Sequence, residues 1–310
     1  MSDSTWKVVP ARVGFGPQQA ELADRIARNA ATDGVHPTPV PGLSLVRASA
    51  PSQPLPAVYH PSLCLVVQGR KRALLGDAAY VYDPLHYLVV SMTLPMTGQV
   101  IEASAAKPYL CLRVDVDPAL VNELLRQLGP AAPPRADDPR ALFLARTSGP
   151  LLDAVLRLVR LLDTPGEAAV LAPLALREIH YRVLVGEPGQ RLRGLCETDA
   201  PAQRVARAIE LLKARYAEPL RVGELAAAAH MSPSSLHQRF KAATALSPLQ
   251  FQKQLRLQEA RRLMLVDGLE AATASRRVGY ESPSQFSREY RRLFGAPPRR
   301  EVVAMRGAGG

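Results

Sequence analysis

The chain reads as an α+β protein in two halves, a β-rich N-terminal unit and an all-helical C-terminal unit. Three observations predict this. Short apolar runs separated by turn residues fill residues 43–117. From Pro118 onward the apolar residues recur at helical spacing. The last hundred residues carry one capped-helix signature twice, offset by fifty.

The length of 310 residues suits about two domains, and an apolar share of 47% suffices for packed cores. Residues 1–40 read as a lead. Within it Gln18–Ala31 forms a short helix, with Leu22, Ile26 and Ala30 at helical spacing, ended by Pro37, Pro39 and Pro41. Strands are predicted over Leu43–Ala48, Leu63–Gln68, Arg72–Leu75, Tyr80–Tyr82, Tyr87–Ser91, Gln99–Ala103 and Tyr109–Val116. Gly69, Gly76-Asp77, Asp83-Pro84 and Gly98 mark the turns, and Arg70-Lys71-Arg72 falls on a solvated hairpin. Many short strands at regular intervals imply a barrel or sandwich of about eighty residues.

Helices follow over Ala119–Leu128, Leu151–Leu162 and Leu171–Val185, with a Pro-rich stretch over residues 130–139. The latter two helices are amphipathic and need a surface to bury against, either the barrel or a second chain. Residues 186–199 read as a linker. Seven helices are predicted beyond it. The first opens at Asp199-Ala200-Pro201 and turns Val205, Ile209, Leu212 and Tyr216 to one face. Val222–His230 precedes the first repeated helix. Ser247-Pro248 caps a long helix through Met264, with Phe251, Leu255 and Leu263 inward. Leu269–Val278 leads into the second repeated helix, and a last short helix follows Pro298.

The repeat pairs Ser232-Pro233-Ser234 with Ser282-Pro283-Ser284, Leu236 with Phe286, Phe240 with Tyr290, and Lys241 with Arg291. Each copy is a helix start, with serine as N-cap, proline at the first helical position and an apolar pair at i, i+4. Each follows a short helix and a turn, so each is a candidate major-groove reader. Because Leu236 and Phe240 must face the core, Ser234, His237, Gln238 and Lys241 face outward. In the second copy Ser284, Ser287, Arg288 and Arg291 do so.

Charge follows the repeat. Residues from 200 onward hold 19 Lys and Arg against 9 Asp and Glu, a net +10, whereas residues 1–199 hold 20 against 19. A basic face of this kind attracts a polyanion and makes binding salt-dependent. The three cysteines, Cys64, Cys111 and Cys196, are far apart and odd in number, so neither a disulfide framework nor a Cys/His metal spacing is visible. No signal pattern opens the chain and no apolar run is long enough for a bilayer, so a cytoplasmic protein without membrane contact is expected.

These residues resemble the AraC/XylS transcription regulators. The resemblance covers residues 200–303 and rests on Leu225-Ala226, Ser232-Pro233, Leu236, Phe240, Leu255-Arg256, Ala260-Arg261, Leu263, Val278-Gly279-Tyr280, Ser282-Pro283-Ser284, Phe286-Ser287, Phe294-Gly295 and Pro298. The N-terminal half is similar to a sensor type found on these regulators, through residues 62–71, Tyr82-Asp83-Pro84, Leu94-Pro95 and Pro108-Tyr109-Leu110. The resemblance implies a cupin-like β-barrel with flanking helices for effector sensing and dimerisation over 41–190. It implies a DNA-binding domain of two helix-turn-helix subdomains joined by a long helix over 199–305. One departure stands out. The family places glycine after the first recognition helix, where this chain has Ala243-Thr244-Ala245-Leu246; Ala245 makes that stop less favourable, while Gly295 keeps the glycine in the second copy.

Carried onto this sequence, the family's base contacts fall on Ser234, His237 and Gln238, then on Ser284, Ser287 and Arg288. Arg288 suits a bidentate contact to guanine and Gln238 one to adenine. Lys241 and Arg291 suit phosphate, which positions without specifying sequence. Arg239 and Arg292 read as surface charges, and Arg261-Arg262 and Arg276-Arg277 as surface or intradomain ion-pair groups. Two readers on one rigid connector would enter successive major grooves roughly 34 Å apart.

The sensor half shows no chemistry of an enzyme. His36, His60, His86, His180, His230 and His237 include no pair at metal-ligand spacing, and no nucleophile elbow or phosphate loop is present. No cofactor is expected. Cys64 and Cys111 lie in predicted strands and read as core, with Cys64 as the one candidate effector contact. The expected protein is a sequence-specific regulator of transcription. Its partners would be double-stranded operator DNA, a small effector, a second copy of itself and RNA polymerase. The alternatives are a cupin-type enzyme with an accessory DNA-binding domain and a non-specific architectural binder.

Overall fold

Two antiparallel sheets face each other in the N-terminal half, and helices cover the outer face of the larger one. A computed structural model describes residues 16–84, 86–129, 140–186, 189, 192 and 200–307. The strands are β1 (Gly34–Pro37), β2 (Leu43–Ala48), β3 (Leu55–Tyr59), β4 (Ser62–Gln68), β5 (Arg70–Leu75), β6 (Ala78–Tyr82), β7 (His86–Val90), β8 (Leu94–Glu102), β9 (Tyr109–Asp115) and β10 (Leu142–Arg146). The larger sheet runs β1-β2-β9-β4-β7-β10 and the smaller β3-β8-β5-β6. The result is an open barrel rather than a closed one.

The central strands are apolar throughout because both of their faces are buried. Strand alternation then sorts them. β4 sends Leu63, Leu65 and Val67 to the helical layer, and Cys64 and Val66 to the space between the sheets. The helical layer holds α1 (Gly16–Asn29), α2 (Pro118–Leu128), α3 (Gly149–Arg160) and α4 (Pro165–Val185). Leu22 and Ile26 of α1 share this outer core with Val155 and Leu158 of α3 and Ile179 and Val183 of α4. Asp117 caps α2, its carboxylate accepting from the Ala119 N–H at 2.8 Å. α4 begins six residues before the predicted start.

Three strands lie outside the predicted set, β1, β3 and β10, and all three are sheet edges. An edge strand leaves one side of its backbone free, so Pro56 is tolerated in β3 and Pro37 in β1. Two expectations are corrected. Gly98 does not mark a turn but sits inside β8, where a side chain would collide with the Tyr59 hydroxyl. Lys71 is not on a solvated hairpin. Gly69 (φ 78°) carries the chain from one sheet to the other, and Lys71 then turns inward over the Tyr59 ring, 5.5 Å from its centroid.

Among the described residues from 200 onward, seven helices form the C-terminal half, as predicted: α5 (Pro201–Ala214), α6 (Val222–Ala228), α7 (Pro233–Thr244), α8 (Pro248–Leu265), α9 (Ala271–Arg277), α10 (Pro283–Phe294) and α11 (Pro298–Gly307). The first helix-turn-helix unit is α6–α7 and the second α9–α10, with α8 between them. Their cores differ in extent. The second unit has a core of its own around Leu263, Val278, Phe286 and Tyr290. The first shares one with the N-terminal half: Val66, Leu88 and Tyr109 between the sheets are continuous with Ile209, Phe240 and Phe251. β3 also passes beside α8 and α10. Among the described residues no helix is long and apolar enough to cross a membrane.

Candidate nucleic-acid interface

The two recognition helices start in the same way. The Ser232 hydroxyl accepts from the Ser235 N–H at 3.2 Å, and the Ser282 hydroxyl from the Gln285 N–H at 3.3 Å. A serine cap of this kind stabilises a helix by about 1 kcal/mol over alanine. Leu236 and Phe240 are buried in the first helix and Phe286 and Tyr290 in the second. Phe240 meets Phe251 of the connector edge-on, at 5.2 Å between ring centroids. Phe286 meets Tyr280 likewise at 5.3 Å. With these anchors inward, Ser234, His237, Gln238 and Lys241 are exposed on α7, and Ser284, Ser287, Arg288 and Arg291 on α10. Every residue that the sequence assigned to the reading faces is therefore at the surface.

The turns before the helices are not identical. The Met231 N–H returns to the Ala226 carbonyl, and the Tyr280 N–H to that of Ser275. The second turn then carries one further residue, Glu281, before its cap. Both turns need a left-handed residue. The second uses Gly279 (φ 85°), where a side chain would strike the Ala217 carbonyl. The first uses His230 (φ 51°), whose carbonyl accepts from Arg204 Nη1 at 3.0 Å.

The connector α8 braces the turn of the second unit against the segment that follows α5 through Arg256, a residue that enters the sequence reading only by resemblance. Its N-terminus is a capping box in which Ser247 and Gln250 exchange hydrogen bonds. Half-way along, the Arg256 guanidinium donates to Tyr216 O at 2.6 Å, Glu218 O at 3.0 Å and Gly279 O at 2.9 Å. It thereby ties the end of α5 to the turn of the second unit. Gln252 adds bonds to the same Tyr216 and Glu218 carbonyls, and Lys253 pairs with Glu289 of α10 at 2.9 Å. A guanidinium suits this place because its several N–H groups diverge in one plane.

The remaining cations divide between fixed and free. Arg261 pairs with Glu301 at 2.7 Å with both side chains nearly buried, and Glu301 also accepts from the Tyr290 hydroxyl at 2.9 Å. Burial and this carboxylate push the Tyr290 hydroxyl well above its ordinary pKa. Arg262 pairs with Glu259 and Asp267. Arg261 and Arg262 are thus intradomain ion-pair groups, as expected. Among the described residues, Arg239, Lys241, Arg276, Arg277, Arg288, Arg291 and Arg292 make no ion pair shown by the structure. Five of these seven lie on α9 and α10, so the second unit carries most of the unneutralised charge.

Between the sheets of the N-terminal half lies a small polar cluster. Cys64 on β4 and Cys111 on β9 are buried free thiols on adjoining strands, Cys111 opposite Val66 and Cys64 opposite Arg113. The neighbouring Cys111 thiol draws the Cys64 thiol below its usual pKa against the effect of burial, with the Lys71 ammonium nearby adding to it. The same contact and burial push Cys111 up. Burial opposes the charge on Lys71, but Tyr59 and the two thiols hold it protonated. Sequence reasoning missed Lys71 and Tyr59 because the turn at Gly69 hides their approach. Cys196 lies outside the described residues. Among the described residues no group of three His, Cys, Asp or Glu side chains is placed to hold a metal ion.

A two-sheet N-terminal half joined to two helix-turn-helix units defines a one-chain helix-turn-helix protein with an appended β domain, and comparison with known proteins agrees. Residues 39–191 match the family model for the AraC-type transcriptional regulator N-terminus, and residues 225–301 match a helix-turn-helix domain model. The chain belongs to the AraC-type transcriptional regulators. It is 28% identical over 155 residues to the HTH-type transcriptional regulator ArgR of Pseudomonas aeruginosa, a match spanning 50% of this chain and 47% of that protein. It is 30% identical over 125 residues to GbdR of the same species, spanning 40% of this chain and 34% of that one. The matches therefore span less than half the length of these curated relatives. In fold it is similar to ToxT from Vibrio cholerae, with a TM-score of 0.55 at 10% identity, covering 84% of this chain and 96% of that one.

Proposed function

We propose that this protein is a sequence-specific DNA-binding transcription regulator in which α7 and α10 read bases and the two-sheet half senses a small effector. The observation that carries the reading is the pairing of two exposed polar helix faces in one frame, held by the contacts of Arg256. Ser234, His237 and Gln238 would read one segment and Ser284, Ser287 and Arg288 the other, with Lys241 and Arg291 on phosphate. The Cys64–Lys71 cluster is the candidate effector contact. A ToxT structure holding an unsaturated fatty acid supports a small organic ligand for this architecture. The family relatives are regulators rather than enzymes, which leaves the cupin-type enzyme without support.

A second copy is part of the same proposal. α4 presents Val170, Leu174, Tyr181 and Val185 to solvent along one face, and a cleft of about 1340 Å³ between α2 and α4 lies beside it. A ridge beside a groove on one element is self-complementary about a two-fold axis. Contact with RNA polymerase and a cytoplasmic location complete the proposed setting.

Selection of bound duplexes from a random pool by the full chain tests the reading. The expected result is one asymmetric site with two conserved segments about one helical turn apart. Equal affinity for all duplexes at fixed salt would leave only an architectural binder.

A further inference from the structure

The C-terminal end of α7 has no part in base reading, yet the sensor half reaches the first unit there. The Ala141 N–H, just before β10, donates to the Ala243 carbonyl at 3.1 Å. The Ala141 carbonyl in turn accepts from the N–H and the hydroxyl of Ser91, both at 2.9 Å, at the end of β7. Gly76 forms the two-residue turn between β5 and β6 with Asp77, and it faces Ala245. A Cβ placed on Gly76 would stand 2.6 Å from the Ala245 methyl.

Ala245 is the left-handed cap of α7, at φ 60°. A non-glycine residue adopts that conformation at a cost of about 1 kcal/mol. The corresponding residue of the second unit is Gly295 at φ 82°, and the space where its side chain would project is open. The two sites are complementary. Where the cap is glycine its surroundings are empty; where the cap carries a methyl, a glycine on the opposing domain makes room for it.

We infer that Ala245 is a positioning residue through which the sensor half sets the first recognition helix, with Gly76 as its socket and the Ala141–Ala243 hydrogen bond as a second point of attachment. The inference rests on α7 reading DNA. A helix rises 1.5 Å per residue, so the cap lies roughly 10 Å from Gln238 along one rigid rod. A shift of the β5–β6 turn or of the end of β7 is therefore delivered to the reading face of α7. The strain at Ala245 is retained because the methyl makes this contact.

The test uses two full-length variants, Ala245→Gly and Ala245→Asn. Glycine and asparagine both accept the left-handed cap, so α7 keeps its end. The first variant deletes the methyl and the second enlarges it against Gly76. A duplex is selected with the unaltered chain, and the segments read by α7 and α10 are assigned as the positions where His237→Ala and Arg288→Ala lose discrimination. Ala245→Asn is expected to bind the selected duplex at least fivefold more weakly, with discrimination lost in the α7 segment alone. Amide exchange at Ala141 should accelerate in the same variant. Ala245→Gly is expected to melt at a higher temperature yet discriminate less in the α7 segment, a split that a purely structural cap would not give. Unchanged discrimination in both variants, or equal loss in both segments, overturns the inference. A chain that selects no sequence at all overturns the reading of α7 and this inference with it.

Discussion

The two helix-turn-helix units share a sequence signature and differ in what surrounds it. The second keeps its own core, uses glycine at both left-handed positions, Gly279 and Gly295, and carries most of the free positive charge. The first shares a core with the sheets, places His230 and Ala245 at those positions, and presents fewer free cations. The difference teaches that a repeat preserves the inward residues which make a helix pair, while each copy's setting decides its task. On the proposed reading, the second unit grips DNA from a core of its own, and the first grips it from a core that it shares with the sheets.

The largest expected effect tests that difference directly. Phe240→Ala and Phe286→Ala should each cost about 3–5 kcal/mol, since each empties a fully buried aromatic site. Only Phe240→Ala should also raise amide exchange at Val66 and Leu88 between the sheets. Equal protection of those amides in both variants would break the claim of a shared core.

Glu301→Ala comes next, and it should affect the second unit alone. It strands Arg261 and removes the acceptor of the Tyr290 hydroxyl, at a cost of about 3 kcal/mol. Chemical unfolding followed by exchange in α10 and in α7 reads it; the comparison fails if α7 loosens as much as α10.

Arg288→Ala should cost about 1–3 kcal/mol of discrimination at one base pair of the selected duplex. Arg291→Ala should weaken every duplex alike and lower the salt slope by about 1. Titrations at several salt concentrations separate the two, and a uniform loss for Arg288→Ala would remove it from base reading.

The smallest effect is a pH dependence. His180 is buried, its Nδ1 bonded to the Leu176 carbonyl and its Nε2 accepting from the Asp117 N–H, and burial holds its pKa below the ordinary value. The unfolded chain therefore takes up this proton first. The stability His180 contributes is complete above about pH 6.5 and is lost as pH falls toward its folded value. Between pH 7.5 and 5.5 the sensor half should weaken, more in the unaltered chain than in His180→Gln. His60, also held down mainly by burial, accounts for a remaining part. Exchange in α7 should follow this weakening more closely than exchange in α10.

Which parts were legible in the sequence follows from how local their causes are. Ser232-Pro233, Ser247-Pro248 and Ser282-Pro283 announce helix starts because capping is settled within four residues. Leu236 with Phe240, and Phe286 with Tyr290, give the inward face and hence the exposed one. The central strands were readable from their apolar runs. β1, β3 and β10 were not, because an edge strand is half exposed, short and tolerant of proline, and so loses every signal that marks its neighbours. Gly98 read as a turn for a related reason: its meaning comes from Tyr59, which arrives from a distant part of the chain. Lys71, the Arg256 staple and the Gly76–Ala245 contact are likewise pairings between residues far apart, and no single segment encodes them.

The core that passes from the sheets into the first unit also bears on how such proteins are cut and recombined. A fragment beginning at α5 would expose the apolar faces around Phe240 and Phe251 that the sheets now cover. Joined to a foreign domain, the same fragment would keep its Ala245 methyl but lose Gly76, the glycine that now faces it. The boundary at which the sequence divides therefore runs through a packed core, and a chimera that inherits the β5–β6 turn together with the helices it touches keeps that core and the Gly76–Ala245 contact intact.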